Sequence, residues 1–119
     1  MKAFVTFIVV LFTLTGATAQ IKVKQQTPLN KLKQDIKNNK ITLYILGGIA
    51  ARVYEGDADF KKKFSIDFHD FGCLAPPNLD FYTAYNQLVF NYLNKQYGTD
   101  WQKEIRSDIL GWEKWKKKK

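Results

Sequence analysis

Asp67, His69, Asp70 and Cys73 stand within seven consecutive positions, and they include the only histidine and the only cysteine of the chain. Two chemistries suit such a set. Zinc takes three or four ligands from cysteine, histidine and carboxylate, and Asp67 and His69, two apart on an extended segment, share a face. Alternatively, a cysteine thiolate acts as nucleophile when a base lies within reach, and His69 is the one imidazole available. Against both stands a structural role, because a lone cysteine is most often buried and inert. The turn at Gly72-Cys73 also gives the sulfur no reason to face the imidazole. Asn86 joins these candidates from a different direction. It falls inside the apolar arc of a long helix, and a buried amide must find partners. The loop around Cys73 is the expected one.

The elements that position these residues can be read from pattern. Thr27-Pro28 reads as an N-cap with proline at the first helical position. Leu29, Leu32 and Ile36 then make a narrow apolar stripe that Asn38-Asn39 ends. Ile41 to Leu46 alternates with Tyr44 between isoleucine and leucine, as a strand covered on both faces does. Gly47-Gly48 closes it as a tight exit turn; the glycine-rich phosphate loop that such a pair can open is not continued by Ile49 to Tyr54. Asp57 or Asp59 is expected to cap a short helix to about Phe64, with Phe60 and Phe64 on one face and Lys61, Lys62 and Lys63 toward solvent.

Ser65 to Phe71 alternates again, with Ile66 and Phe68 inward and Asp67 and His69 on the other face. Pro76-Pro77 then stops the chain. From Asn78 to Tyr97 runs the longest helix, its apolar arc roughly 200° wide against the ~100° of an ordinary surface helix. Gly98 is expected to end it in the left-handed conformation. Thr99 to Gln102 reads as a capping box opening a final helix, with Trp101, Ile105 and Ile109 on its buried face. The fold class is α+β, in the order helix, strand, short helix, strand, long helix, helix. The sheet is two-stranded, or three-stranded if Ala50 to Tyr54 adds a strand, and the long helix covers it. The short-helix crossover allows the two strands to pair in parallel.

Residues 1–19 read as a cleaved leader. Lys2 supplies the positive end, Phe4 to Leu14 is shorter than the ~20 apolar residues of a spanning helix, and Ala17-Thr18-Ala19 directs cleavage before Gln20. The product is expected to be exported, to the periplasm or the medium, with no transmembrane anchor after cleavage. The mature chain divides into a polar arm at 20–28, one globular domain at 29–111 and a basic tail at 112–119. The formal charge of +8 is concentrated at the ends. Between Leu29 and Gly111 eleven lysines and arginines face ten acids. Nucleic acid is therefore not the expected partner; an envelope protein or an anionic surface is. Trp112 and Trp115 read as lying beyond the fold, with Trp115 amid lysines either an interfacial anchor or an exposed ring on a frayed end. With Cys73 alone, no internal disulfide supports the domain, and its core must rest on aromatic packing.

The run Phe60-Lys61-Lys62-Lys63-Phe64 resembles the FEKKY-domain family of small exported bacterial proteins. The likeness continues through Ile66 to Pro77, Tyr85-Asn86 and Tyr97-Gly98-Thr99-Asp100-Trp101, covering about Leu43 to Gly111. Lys61 stands where the name-giving motif has glutamate, and Phe64 where it has tyrosine. The resemblance implies one compact domain and carries no activity. The favoured reading is an exported, non-catalytic domain that binds a protein or envelope-surface partner and needs no cofactor or metal. The alternative is a small thiol- or metal-dependent enzyme using Cys73 and His69.

Overall fold

The computed structural model describes residues 25–47 and 54–118. The leader, its cleavage site, most of the polar arm and nearly all of the candidate third strand at 50–54 lie outside the described residues. The elements are α1 (Pro28–Asn38), β1 (Thr42–Ile45), α2 (Asp57–Phe64), β2 (Asp67–Asp70), α3 (Leu79–Tyr97), a 3-10 turn (Asp100–Lys103) and α4 (Trp112–Lys117). This is a small α+β fold. At the start of α1 the Thr27 hydroxyl accepts the Asn30 N–H at 3.2 Å, and Pro28 comes next, where a missing N–H is harmless. Asn39 ends that helix at φ 54°, a left-handed conformation that a short polar side chain tolerates.

β1 and β2 pair in parallel, with Leu43 opposite Phe68 and Tyr44 opposite His69. Ile41, Leu43, Ile45 and Ile66 are buried, and Phe60 of α2 closes over them beside Phe64 and Phe68. Two strands alone are marginal, so most of the core comes from α3. That helix buries Tyr85, Asn86, Val89, Phe90 and Leu93 and packs on both α1 and β1, as its wide apolar arc requires.

The expected final helix from Thr99 to Gly111 is not formed. The Thr99 side chain makes no cap bond, and only one 3-10 turn develops. Gln102, cast as the return partner of a capping box, instead donates to Asn94 Oδ1 at 2.9 Å, an oxygen it shares with the Trp101 indole N–H. Long-range partners then straighten the chain. Arg106, nearly buried, donates to both Asp108 carboxylate oxygens and to Asp57 at 2.8 Å, and lies 4.2 Å from the Tyr54 ring. Asp57 is thus the first residue of α2 and a tertiary acceptor rather than its cap, which is Gly56. Beyond this clamp, Ile109 forms an antiparallel bridge with Ile45, and the Leu110 N–H donates to Tyr44 at 3.2 Å. Local helix propensity, worth tenths of a kcal/mol per residue, yields to these contacts.

Trp112 and Trp115 do not lie beyond the fold. They are buried one turn apart on α4, against Phe90 and Trp101, with ring centroids 5.2–5.9 Å apart throughout the group. The basic segment is therefore a core-forming helix whose lysines face outward. No helix among the described residues is long and apolar enough to cross a membrane.

Candidate functional site

The five residues singled out by type and spacing do not assemble into one site. Asp67 is half-buried in an ion pair with Lys61. His69 is exposed and makes edge-on ring contacts with Tyr44 and Phe71, at 5.9 and 4.9 Å. Cys73 is exposed in its turn rather than buried, and no hydrogen bond links it to His69 among the described residues. Nor, among the described residues, do three or more histidine, cysteine or acidic side chains gather there as a metal site would require.

Asp70 serves as a lock between strand ends. Its Oδ1 accepts the Gly47 N–H at 3.0 Å, where β1 leaves the sheet, and the Gly72 N–H at 2.7 Å, just after β2. A Cβ on residue 47 would run into the Asp70 carboxylate, so any other residue there would have to displace the lock. Its other oxygen, Oδ2, is buried without a hydrogen-bond partner among the described residues.

Asn86 does not reach the loop around Cys73. It is fully buried, and its amide pairs with the backbone of Tyr44 on both sides: Oδ1 accepts the Tyr44 N–H at 3.0 Å, and Nδ2 donates to the Tyr44 carbonyl at 2.9 Å. Nδ2 also donates to the Leu110 carbonyl at 3.0 Å. A primary amide carries one acceptor and two donors, like a short length of strand. Asn86 uses all of them to seal the edge of β1 that β2 leaves open, an edge that would otherwise be a template for foreign strands.

That seal fixes Tyr44, and around Tyr44 the structure gathers residues that type and spacing had not singled out. Four segments contribute. From α1 come Lys31 and Asp35, one turn apart and joined at 2.8 Å. β1 gives Tyr44 itself, and the exit of β2 gives Phe71. The first turns of α3 and its cap supply Asn78, Phe81, Tyr82 and Tyr85, with Tyr82 and Tyr85 three apart and so on neighbouring positions of the helix surface. The Tyr44 ring stacks on Phe71 at 5.5 Å and lies 4.4 Å from Tyr82, which meets Phe71 and Phe81 edge-on. These rings are half-buried, a state reached by close mutual packing at an open surface. Beside them opens a concavity of about 570 Å³, lined by Gln25, Gln26, Lys31, Tyr44, Asn78, Phe81 and Tyr82.

The electrostatics of this bay are closed within it. Asp35 accepts from both Lys31 and the Tyr85 hydroxyl, the latter at 2.6 Å. Burial works to lower the Lys31 pKa, but the hydrogen bond and charge of Asp35, with the Tyr44 phenol, outweigh it and hold the ammonium above its ordinary value. Burial raises the Tyr44 phenol despite Lys31. The same cause, reinforced by the bond to Asp35, raises Tyr85 well beyond the usual tyrosine range. All three shifts run away from neutrality. The phenols stay protonated and the lysine stays charged, the opposite of the tuning that a working acid or base requires.

A slightly larger concavity of about 620 Å³ lies between the start of α1, the outer face of α3 and Trp115. Pro28, Leu29, Ala84 and Leu88 supply its apolar lining, Thr27, Gln87, Asn91 and Asn94 its polar one, and Lys118 is the one charged group lining it among the described residues. Its single ring, Trp115, is buried to 8% exposure, and Asn91 and Asn94 are already engaged by the Trp115 and Trp101 indoles. The bay around Tyr44 is the better-equipped site. No family model, curated protein or solved structure matches the chain.

Proposed function

We propose that the protein is an exported, non-catalytic binding domain that holds a partner in the bay around Tyr44, Phe81 and Tyr82. On the motif residues of Phe60 to Pro77 we assign it to the FEKKY-domain family. The observation that carries the binding reading is an open concavity lined by the half-buried rings of Tyr44, Phe81 and Tyr82; the upward shifts of Lys31 and Tyr44 beside it fit that role. Such a bay supplies contact area and hydrogen bonds without a group poised to move a proton. Half-buried tyrosines suit recognition, because each offers a large rigid face and a polar tip. The exposed lysines of α4, Lys114, Lys116 and Lys117, give an anionic envelope surface a second point of attraction.

Retention of the protein on an isolated envelope fraction separates the two contributions. Binding through the bay survives 0.5 M salt, on the order of the concentrations that screen exposed charge, and is lost in the double variant Phe81→Ala, Tyr82→Ala. Attraction through the lysines alone fails in salt and ignores that variant. Alkylating Cys73 leaves retention unchanged; if alkylation abolished it, the thiol-dependent alternative would gain the ground the bay loses.

A further inference from the structure

We infer that the ligand of the bay is an uncharged saccharide, an inference that rests on the binding role just proposed. Three observations converge on that class. The first is charge: among the described residues Lys31 is the only charged side chain lining the concavity, and Asp35 neutralises it across 2.8 Å. A strongly anionic ligand would have to compete with a carboxylate already in place, and a cationic one would meet the ammonium.

The second is the rim. Gln25, Gln26 and Asn78 place three primary amides around the rings. Asn78 is the more telling, because it occupies the N-cap of α3, where an asparagine side chain ordinarily accepts a backbone N–H. Here it makes no cap bond. Gln26 commits its amide nitrogen to Gln34 at 3.1 Å. Each amide offers donor and acceptor side by side. Adjacent sugar hydroxyls, each both donor and acceptor, match that arrangement. A proline-rich peptide, the other customary occupant of an aromatic groove, presents carbonyls with few N–H groups and leaves the amide oxygens unmatched.

The third is the floor. Phe81 meets Tyr82 at 80° and Tyr82 meets Phe71 at 61°, so the rings offer faces at different inclinations. The C–H face of a pyranose ring lies on one such face while its edge hydroxyls reach the rim. The volume of about 570 Å³ is within the ordinary range of small-ligand sites.

The test uses the 15N-labelled protein, expressed with its own leader, titrated with neutral cello-, chito-, malto-, xylo- and mannotetraose and, separately, with a decaproline peptide. At least one tetrasaccharide is expected to shift the side-chain amides of Gln25, Gln26 and Asn78. Asn78→Ala and Tyr82→Ala should each weaken it about tenfold, the loss expected for one hydrogen bond or one ring contact, with the remaining spectrum unchanged. If no tetrasaccharide shifts the bay while envelope retention still depends on Phe81 and Tyr82, the saccharide class is wrong and the binding role stands. Shifts produced by decaproline alone would make the bay a peptide groove. If retention is also indifferent to Phe81 and Tyr82, both the ligand class and the binding role fall.

Discussion

Two groups of aromatic rings in this molecule are built from similar residues and left in opposite states. Phe90, Trp101, Trp112 and Trp115 are buried to 8% exposure or less, and two of their three indole N–H groups have partners: that of Trp101 donates to Asn94, and that of Trp115 to Asn91. Tyr44, Phe71, Phe81 and Tyr82 pack as closely, at 4.4–5.5 Å between neighbouring centroids, yet remain half-buried beside an open concavity. The first group joins α3, the 3-10 turn and α4 into a core. The second draws its rings from three segments, β1, the exit of β2 and α3, and leaves them at a surface without closing it. Ring packing alone therefore does not separate stability from recognition; what separates them is whether the outer face is covered.

Removing the cover is the strongest way to break this contrast. A chain ending at Gly111 loses Trp112 and Trp115 together and is expected to lose its cooperative thermal transition, because each buried tryptophan is worth about 3–5 kcal/mol against total stabilities of about 5–15. Trp101→Ala alone should lower the urea midpoint by a large fraction. A truncated chain that still unfolded cooperatively near the native midpoint would restore the reading of 112–119 as a dispensable tail.

Next in size is Asn86→Leu, which keeps the volume and deletes the amide. It strands the Tyr44 N–H and the Leu110 carbonyl, at about 1–3 kcal/mol for each buried group left unpaired. Because Tyr44 floors the bay, this variant should also disturb the chemical shifts of Tyr82 and Phe71 while leaving those of Trp112 and Trp115 near their native positions. Equal disturbance of both ring groups would mean that they are not independent.

A smaller effect distinguishes the two ring groups by pH, since of the two only the bay contains titrating side chains; Lys63 beside Glu104 and half-buried Tyr92, also raised, add to the same alkaline decline from elsewhere. Lys31, Tyr44 and Tyr85 all have folded-state pKa values raised above their ordinary ones. Each contributes stability that is complete below the unfolded value, about 10 for tyrosine and 10.4 for lysine, and lost as pH rises through the folded value. Unfolding free energy should therefore be flat from pH 7 to about 9.5 and fall above 10. Asp35→Asn removes the carboxylate charge shared by Lys31 and Tyr85 and should make that fall shallower. An alkaline decline of unchanged slope would place its origin outside the bay.

Much of the frame was readable because period-two and period-3.6 patterns survive folding. Ile41, Leu43 and Ile45 marked β1, Ile66 and Phe68 marked the inward side of the β2 region, and the wide arc of α3 announced a helix covered on two sides. What escaped was set by partners far along the chain. Asn86 was recognisable as a buried amide, but its partner Tyr44 lies 42 residues away, and nothing local prefers it over the loop at Cys73. Trp101, Ile105 and Ile109 kept a helical spacing while Arg106 and the open edge of β1 drew the segment into another path. Trp112 and Trp115, three apart among lysines, already carried the mark of a one-sided helix, outweighed by the charge around them. The bay was least legible, since its residues come from four segments and none of those segments looks exceptional. The pairs Lys31–Asp35 and Tyr82–Tyr85, at helical spacing on two different helices, were the available hint.

The central claim is that the half-buried rings are present for recognition and are spare for stability. Tyr82→Ala, measured for thermal midpoint and for envelope retention in 0.5 M salt on the same preparation, tests it most directly. The predicted result is a midpoint within about 8 °C of native, since roughly 1 kcal/mol moves a domain of this size by about 4–8 °C, together with loss of retention. A variant that lost its midpoint, or one that kept both midpoint and retention, would contradict the division of labour between the two ring groups.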